Sequence, residues 1–379
     1  MTGVRIIAAR ITPLRLALRA PLETAHGAVT QREGALLELE TQHGVRGCGE
    51  ALPLPGFGLE TPAEAARALE ELARELLGRR AESPAALLDA SERAAPAAPA
   101  ARAALDAAVH DLVARAQGVS LAHWLSSREG TKPHARVPVS ALVAAPDPPG
   151  AAAEARRRLS QGFRTLKLKL GASEFERDLA RVAAVREAAG AEVALRLDAN
   201  GAWKEADTPP RLRELARFGI EFLEQPVAAT EVEALARLRA AAPFPIAADE
   251  AVRSEADAEA LLAACAADLL VLKPAAVGGL RAASRIAARA QHAGIPVVVT
   301  SFLDSGLGRT AALHLAASLP GPLRAAGLAT GELLAEDLAA SPPILGGVLA
   351  PPQGPGLGVA PEAEALQRCA TAARLELRA

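Results

Sequence analysis

Leu166-Lys167-Leu168-Lys169, Leu195-Arg196-Leu197-Asp198, Ile220-Glu221-Phe222-Leu223-Glu224, Ile246-Ala247-Ala248-Asp249 and Leu269-Leu270-Val271-Leu272-Lys273 are five apolar runs, each ending in a charged residue. Their last residues lie 29, 26, 25 and 24 positions apart, and 28 more reach Ser301 after Val297-Val298-Val299-Thr300. That interval holds one strand, one helix and two loops. Apolar runs bounded by turn signals read as buried parallel strands, and their alternation with helices reads as repeated βαβ units. Val137–Val143 precedes the series as a first strand and Ala325–Ala329 closes it as a short last one. Helices are predicted between them, at about 150–161, 173–189, 206–218, 230–241, 254–264, 278–293 and 306–318.

The chain before this repeat has another character. Residues 4–19 alternate irregularly between apolar residues and Arg or Thr, and Ala35–Glu40 alternates at period two, with Gly44 as a turn, which predicts an antiparallel sheet. Pro21–Gly27 reads as a polar loop between them, and Pro53-Leu54-Pro55-Gly56-Phe57-Gly58 as a second loop. Helices are expected from Thr61-Pro62 to Leu77, from Ser83-Pro84, and from Pro99, where a cap or an early proline marks the start. Ser126–Arg136, with Gly130 and Pro133, is the best boundary. After Ser341 the chain is Pro/Gly-rich, with a helix expected from Pro361 to about Ala373. The prediction is therefore an α/β chain: a TIM-like (β/α)7β barrel over residues 126–340, and an α+β capping domain over 1–125 completed by 341–379.

Composition removes several classes of function. A net charge of −2 and a pI near 6.4 give no global attraction to nucleic acid or to an anionic membrane. No run of about 18 apolar residues could span a bilayer, and arginines at 5, 10, 15 and 19 leave no signal-peptide core. Cys48, Cys265 and Cys369 are few, scattered and odd in number, which fits a reduced, cytoplasmic protein. The outer faces of the barrel helices mix Ala and Arg with no apolar stripe, so a homo-oligomer is compatible with the sequence but not specified by it. The expected partner is a small molecule.

Side chains at the C-terminal ends of barrel strands share one mouth, where such enzymes do their chemistry. Asp198, Glu224 and Asp249 end three successive strands. A single strand-end Asp is more often a helix cap; three in register are better read as a ligand set. All-oxygen donors without His or Cys suit Mg²⁺, or Mn²⁺ in its place. The chain has only five lysines among 42 basic residues, and Asn200 is its one asparagine. Lys167 and Lys169 point to the same side of their strand, into a barrel where a lysine must be paired or used. Lys273 faces them across the mouth. Burial and neighbouring cations lower a lysine's pKa toward that of a useful base. Lys132 and Lys204 read as solvated.

Lys167-Leu168-Lys169, Asp198-Ala199-Asn200, Glu224-Gln225-Pro226, Asp249-Glu250 and Lys273-Pro274 together resemble the enolase superfamily, in its muconate-lactonizing-enzyme subgroup. The likeness covers nearly the whole chain. Lys plus Mg²⁺ is the handling that superfamily gives to an enediolate. Within the subgroup, Pro53–Phe57, Leu195–Trp203, Ser301-Phe302-Leu303-Asp304-Ser305 and Gly327-Leu328-Ala329-Thr330-Gly331 look most like o-succinylbenzoate synthases of menaquinone biosynthesis. The resemblance implies that Lys169 removes a proton α to a carboxylate, and that Asp198, Glu224 and Asp249 hold the metal. Lys273 would stabilise the enediolate, also as a cation over the substrate ring, and Lys167 would tune Lys169. Asn200, Glu250 and Arg196 would support these groups. His26, Phe57, Ser301, Asp304, Ser305, Gly327 and Thr330 would enclose the succinyl tail, although Phe57 also reads as core and Asp304 as a helix N-cap. Phe302 departs from the small polar residues that such relatives carry there. N-succinylamino acid racemases and dipeptide epimerases share the same motifs, with Lys169 and Lys273 as two opposed bases. No Asp-x-Asp near 301–305 or 327–331 offers a dipeptide ammonium a partner. A non-catalytic metal-binding barrel would show a lost lysine or carboxylate, and none is lost.

Overall fold

The computed structural model describes residues 4–24, 27–81, 87–89, 95, 97–128 and 130–379. The helix start expected at Ser83-Pro84 lies outside them. The first unit is an antiparallel sheet built from β1 (Val4–Thr24), β2 (Gly27–Thr41) and β3 (Arg46–Ala51). Its apolar alternation faces the helices Pro62–Leu76 and Pro99–Ala116, where Leu37, Leu39, Leu69, Leu72, Leu105 and Leu112 are buried together. Thr61 and Glu64 close a reciprocal capping box at the start of the first helix. Gly49 of β3 meets the backbone of Ala104 so closely that a Cβ could not fit.

The hairpin is longer than its sequence suggested. Pro21–Gly27 is not a polar loop: β1 runs to Thr24 and β2 restarts at Gly27, with Leu22 opposite Val29 and Thr24 opposite Gly27. Pro21 sits in the register shift between Ala17 and Leu22, where its missing N–H interrupts no ladder. Leu22 is buried against the barrel side of the molecule, which holds the strands together beyond the bulge.

The barrel strands follow a further short strand, β4 (Arg80–Ala81). They are β5 (Val137–Pro138), β6 (Ala141–Val143), β7 (Thr165–Lys169), β8 (Ala194–Asp198), β9 (Ile220–Glu224), β10 (Ile246–Ala248), β11 (Leu269–Leu272) and β12 (Val297–Val299). β6 to β12 pair in parallel in chain order. The expected first strand is split, because Val137 and Pro138 pair antiparallel with β13 (Val348–Leu349) before the chain joins the barrel. Residues 325–327 close the ring: the Ala326 N–H donates to Pro138 O (2.8 Å) and the Gly327 N–H to Val299 O (2.9 Å). Helices 148–160, 175–189, 208–216, 232–241, 255–263, 280–292 and 306–318 fill the intervals, within two residues of the spacing-based reading at most ends. A last helix, Ala363–Cys369, leads to β14 (Leu375–Arg378), which adds to the free edge of β1. The first sheet therefore takes strands from both ends of the chain. No helix among the described residues is long and apolar enough to cross a membrane.

Buried carboxylates of the first unit fasten it to barrel helices. Asp106 accepts from the N–H groups of Leu280 (2.5 Å) and Arg281 (3.3 Å), at the N-terminus of helix 280–292. Gly279 stands beside it at φ +122°, where a Cβ would lie 2.5 Å from Asp106 Cβ. Glu50 accepts from the Ser305 N–H (2.8 Å) and from its hydroxyl, at the N-terminus of helix 306–318. Burial, with Asp304 beside it, pushes the Glu50 carboxyl up to about 8 from 4.5. Asp304 is also pushed up by its burial.

A carboxyl raised in the folded state binds its proton more tightly there than in the unfolded chain. Its contribution to stability is full below pH 4.5 and is lost as pH rises through about 8. Thermal unfolding between pH 5 and 9 should show Glu50→Gln with a flatter pH dependence than the wild-type chain; parallel curves would contradict this.

Candidate active site

Register alone brings the key residues together. Lys169 pairs with Asp198 across β7 and β8, and Asp198 with Glu224 across β8 and β9. Asp249 follows the end of β10 and Lys273 the end of β11. Asp198, Glu224 and Asp249 are 1, 2 and 3 % exposed. One carboxylate oxygen from each lies within 4.8 Å of the others.

Two residues just past these strand ends adopt the left-handed conformation, Asn200 at φ 44° and Gln225 at φ 36°. Asparagine tolerates it readily, glutamine less so. Gln225 is held there by its own bonds. Its side-chain oxygen accepts from the N–H groups of Asp249 (3.0 Å) and Ala251 (3.3 Å), and its amide donates to Val227 O (2.9 Å). It thus ties the Glu224 and Asp249 tips together. Reading the sequence gave Gln225 no role; its place directly after Glu224 was the available signal.

The lysines enter from two sides. Lys167 Nζ lies 2.9 Å from Asp198 and also pairs with Glu224. Lys169 Nζ donates to Asn200 Oδ1 (2.7 Å) and is 3.5 Å from Asp198. Asn200 Nδ2 donates in turn to Glu250 Oε1 (2.8 Å). Lys273 Nζ donates to Asp249 Oδ2 (2.7 Å) and lies 2.6 Å from Oδ1, without the alignment of a hydrogen bond. Lys132 and Lys204 are exposed.

Charge crowding decides the protonation pattern. Burial would push Lys167 down, but Asp198, Glu224 and Asp249 outweigh it and the net direction is up. Lys273 is raised the same way, burial being outweighed by Asp249 and Glu250. The lowering expected for lysines in this mouth is thus reversed at these two positions. Burial would raise Asp198, yet Lys167, Lys169 and Lys273 hold it well below the usual carboxylate range. Glu224 goes the other way, to about 7, through burial only partly offset by Lys167. Glu250 also reaches about 7, through burial and the charge of Asp249.

The donor set fits a hard divalent cation. It is three carboxylates with no softer ligand, and Asp249 Oδ1 is buried without a hydrogen bond. The chamber over it is lined by Leu22, Thr24, Val29, Leu54 and Phe57 from the first unit, and by Ser140, Leu142, Thr300–Leu303, Gly327, Ala329, Thr330 and Leu333 from the barrel side. Phe57, Ser301, Gly327 and Thr330 are among the lining residues, and Ser301 bonds Thr330 through their hydroxyls (2.7 Å).

Asp304 and Ser305 do not line this chamber. Asp304 is buried and accepts from the Phe302 N–H (2.9 Å), and Ser305 is the residue that caps the helix. Arg196 lies deeper in the barrel, on Glu221, Ala325 O and the ring of Phe222. His26 falls outside the described residues. A larger cavity of about 620 Å³ opens at the opposite, N-terminal end of the strands, and none of the three carboxylates lines it.

Comparison with known proteins agrees with this geometry. Residues 150–365 match the enolase C-terminal domain-like family, and residues 6–125 match the mandelate racemase / muconate lactonizing enzyme N-terminal domain. The chain belongs to the enolase superfamily. Among superfamily relatives, an o-succinylbenzoate synthase of Thermobifida fusca is 44% identical over 210 residues, 54% of this chain and 63% of that one. An N-succinyl-L-Arg/Lys racemase of Bacillus cereus is 29% identical over 331 residues, 85% and 88% of the two chains. The crystal structure of an N-succinyl Arg/Lys racemase from that species superposes with a TM-score of 0.92 over 99% of this chain and 100% of that one, at 26% identity. A dipeptide epimerase of Cytophaga hutchinsonii, complexed with Mg and D-Ala-L-Val, gives 0.90 at 27% identity over 98% and 99%. The superfamily fold is thus shared along the whole chain.

Titration calorimetry with Mg²⁺ should give a single site, and Glu224→Gln should raise its Kd by at least about tenfold. Equal affinity in the two proteins would remove Glu224 from the ligand set.

Proposed function

We propose that the chain is an o-succinylbenzoate synthase. The reaction is the Mg²⁺-dependent syn-dehydration of 2-succinyl-6-hydroxy-2,4-cyclohexadiene-1-carboxylate through an enediolate, a step of menaquinone biosynthesis in the cytoplasm. The observation that carries this is the approach of Lys169 and Lys273 to one carboxylate cluster from different strands. Apart from Lys167 and Asn200 beside the cluster, the rest of the described chamber wall is apolar or hydroxylic, which suits a cyclic substrate whose charge is gathered at one carboxylate.

Asp198, Glu224 and Asp249 would hold Mg²⁺, or Mn²⁺ in its place. When bound, the cation supplies charge stabilisation to the substrate carboxylate as a second negative charge develops. Lys169, as the free amine, takes the proton from the carbon next to that carboxylate. Asn200 accepts from the same Nζ, and Glu250 fixes the amide, so the nitrogen is aimed before it reacts. The resulting ammonium returns that proton to the departing hydroxyl on the same face. The C–H and C–O bonds break, water leaves, and the ring becomes aromatic. Lys273, as the ammonium beside Asp249, faces the growing charge. Lys167 neutralises part of the carboxylate cluster.

A second reading, N-succinylamino acid racemase, is favoured by one observation: two lysines flank the cluster, so a proton taken on one face could be returned on the other. Among the described lining residues the only carboxylates are Asp198 and Asp249 of the cluster itself, so a dipeptide's ammonium has no separate acidic partner. That weighs against a dipeptide epimerase.

Turnover of the cyclohexadiene carboxylate should disappear on chelation and return with Mg²⁺, and Lys169→Ala should lower it by about 10³-fold or more. Deuterium exchange into an N-succinylamino acid in D₂O, with no turnover of that precursor, would replace the synthase by the racemase.

A further inference from the structure

Phe302 stands beside a catalytic lysine. Its ring lies 5.3 Å from Lys273 Nζ, a separation at which a cation is attracted to an aromatic face. The ring is itself fixed. The edge of Phe57 meets it at 5.7 Å and 84°, and the Arg32 guanidinium lies 5.6 Å from its centre. Arg32 is 1 % exposed and donates to the carbonyls of Leu52 and Pro53, the chain that leads to Phe57. The Phe302 N–H is bonded to Asp304 and the next residue, Leu303, turns at φ 57°, so the backbone cannot swing the ring away. Lys169 has no share in this: its partners are Asn200 and Asp198.

From this asymmetry we infer that Phe302 is a positioning residue for Lys273 alone, braced by Arg32 and Phe57 of the first unit. The ring gives the ammonium a second resting contact besides Asp249, and keeps it on its own face of the substrate. Removing the ring weakens proton transfer on the Lys273 face and spares the Lys169 face. The inference rests on the reading above in which both lysines flank one α-carbon.

The test is exchange of the α-proton for deuterium in D₂O, measured separately for the two enantiomers of an N-succinylamino acid with the Mg²⁺-loaded protein. Lys169→Ala and Lys273→Ala assign an enantiomer to each lysine. Phe302→Leu should lower the ratio of exchange of the Lys273 enantiomer to that of the Lys169 enantiomer by about tenfold, whereas Phe302→Tyr should restore the ratio. Phe57→Leu, which keeps the Phe302 ring but loosens its brace, should lower the same ratio to a smaller extent, and serves if Phe302→Leu does not fold. Equal losses on both faces, or none in either variant, would overturn the inference while leaving the function intact. If the wild-type chain exchanges only one enantiomer or neither, the two-base reading falls first and takes this inference with it.

Discussion

Burying three carboxylates within 4.8 Å of one another is the constraint that the rest of the molecule answers. Like charges so close in a poorly solvated site repel strongly. Three lysines, on strands flanking the cluster and across the mouth from one another, offset that repulsion. They do so unevenly: Asp198 receives most of it and stays ionised, while Glu224 is driven toward its protonated form. The strand tips must also be stopped from spreading. Gln225 does this by spanning from the Glu224 tip to the Asp249 tip, at the cost of an uncommon backbone conformation.

The first unit contributes walls and fastening rather than reacting groups. Its hairpin and its Pro53–Phe57 segment supply apolar surface to the chamber. Asp106 and Glu50 anchor it to the N-termini of two barrel helices, and Asp111 joins β3 to the late segment through the N–H groups of Cys48 and Leu357. Asp106 and Glu50 satisfy helix-end donors that would otherwise be buried without partners. Part of the chamber's apolar wall and the lysine–carboxylate cluster therefore lie on different pieces of chain.

Much of this was legible in the amino acids because strand length and interval are themselves chemical signals. An apolar run that stops at Asp198 or Lys273 announces both the strand and its functional end. The scarcity of lysine and asparagine sharpened the reading at Lys167, Lys169, Lys273 and Asn200. Side-chain direction beyond the strand ends was not legible. Asp304 and Ser305 look like substrate contacts in sequence, yet the chain turns at Leu303, and Asp304 bonds the Phe302 N–H while Ser305 bonds Glu50. Thr24 and Leu22 read as loop because a nearby proline hides a bulge. The upward shifts of Lys167 and Lys273 depend on how many carboxylates surround each ammonium, which no single motif reports.

One feature of the sheet bears on how the molecule is made. β14 is the outer neighbour of β1, yet some 350 residues separate the two strands in the chain. During translation every barrel strand emerges while that edge still lacks its partner, and an unpaired strand edge invites association with other chains. Arg10 lies in the stretch of β1 that β14 covers, where it pairs with Glu40 of β2 (2.6 Å) and reaches Glu376 of β14 (3.6 Å). The first sheet is thus completed only after every barrel strand between β1 and β14 has been made.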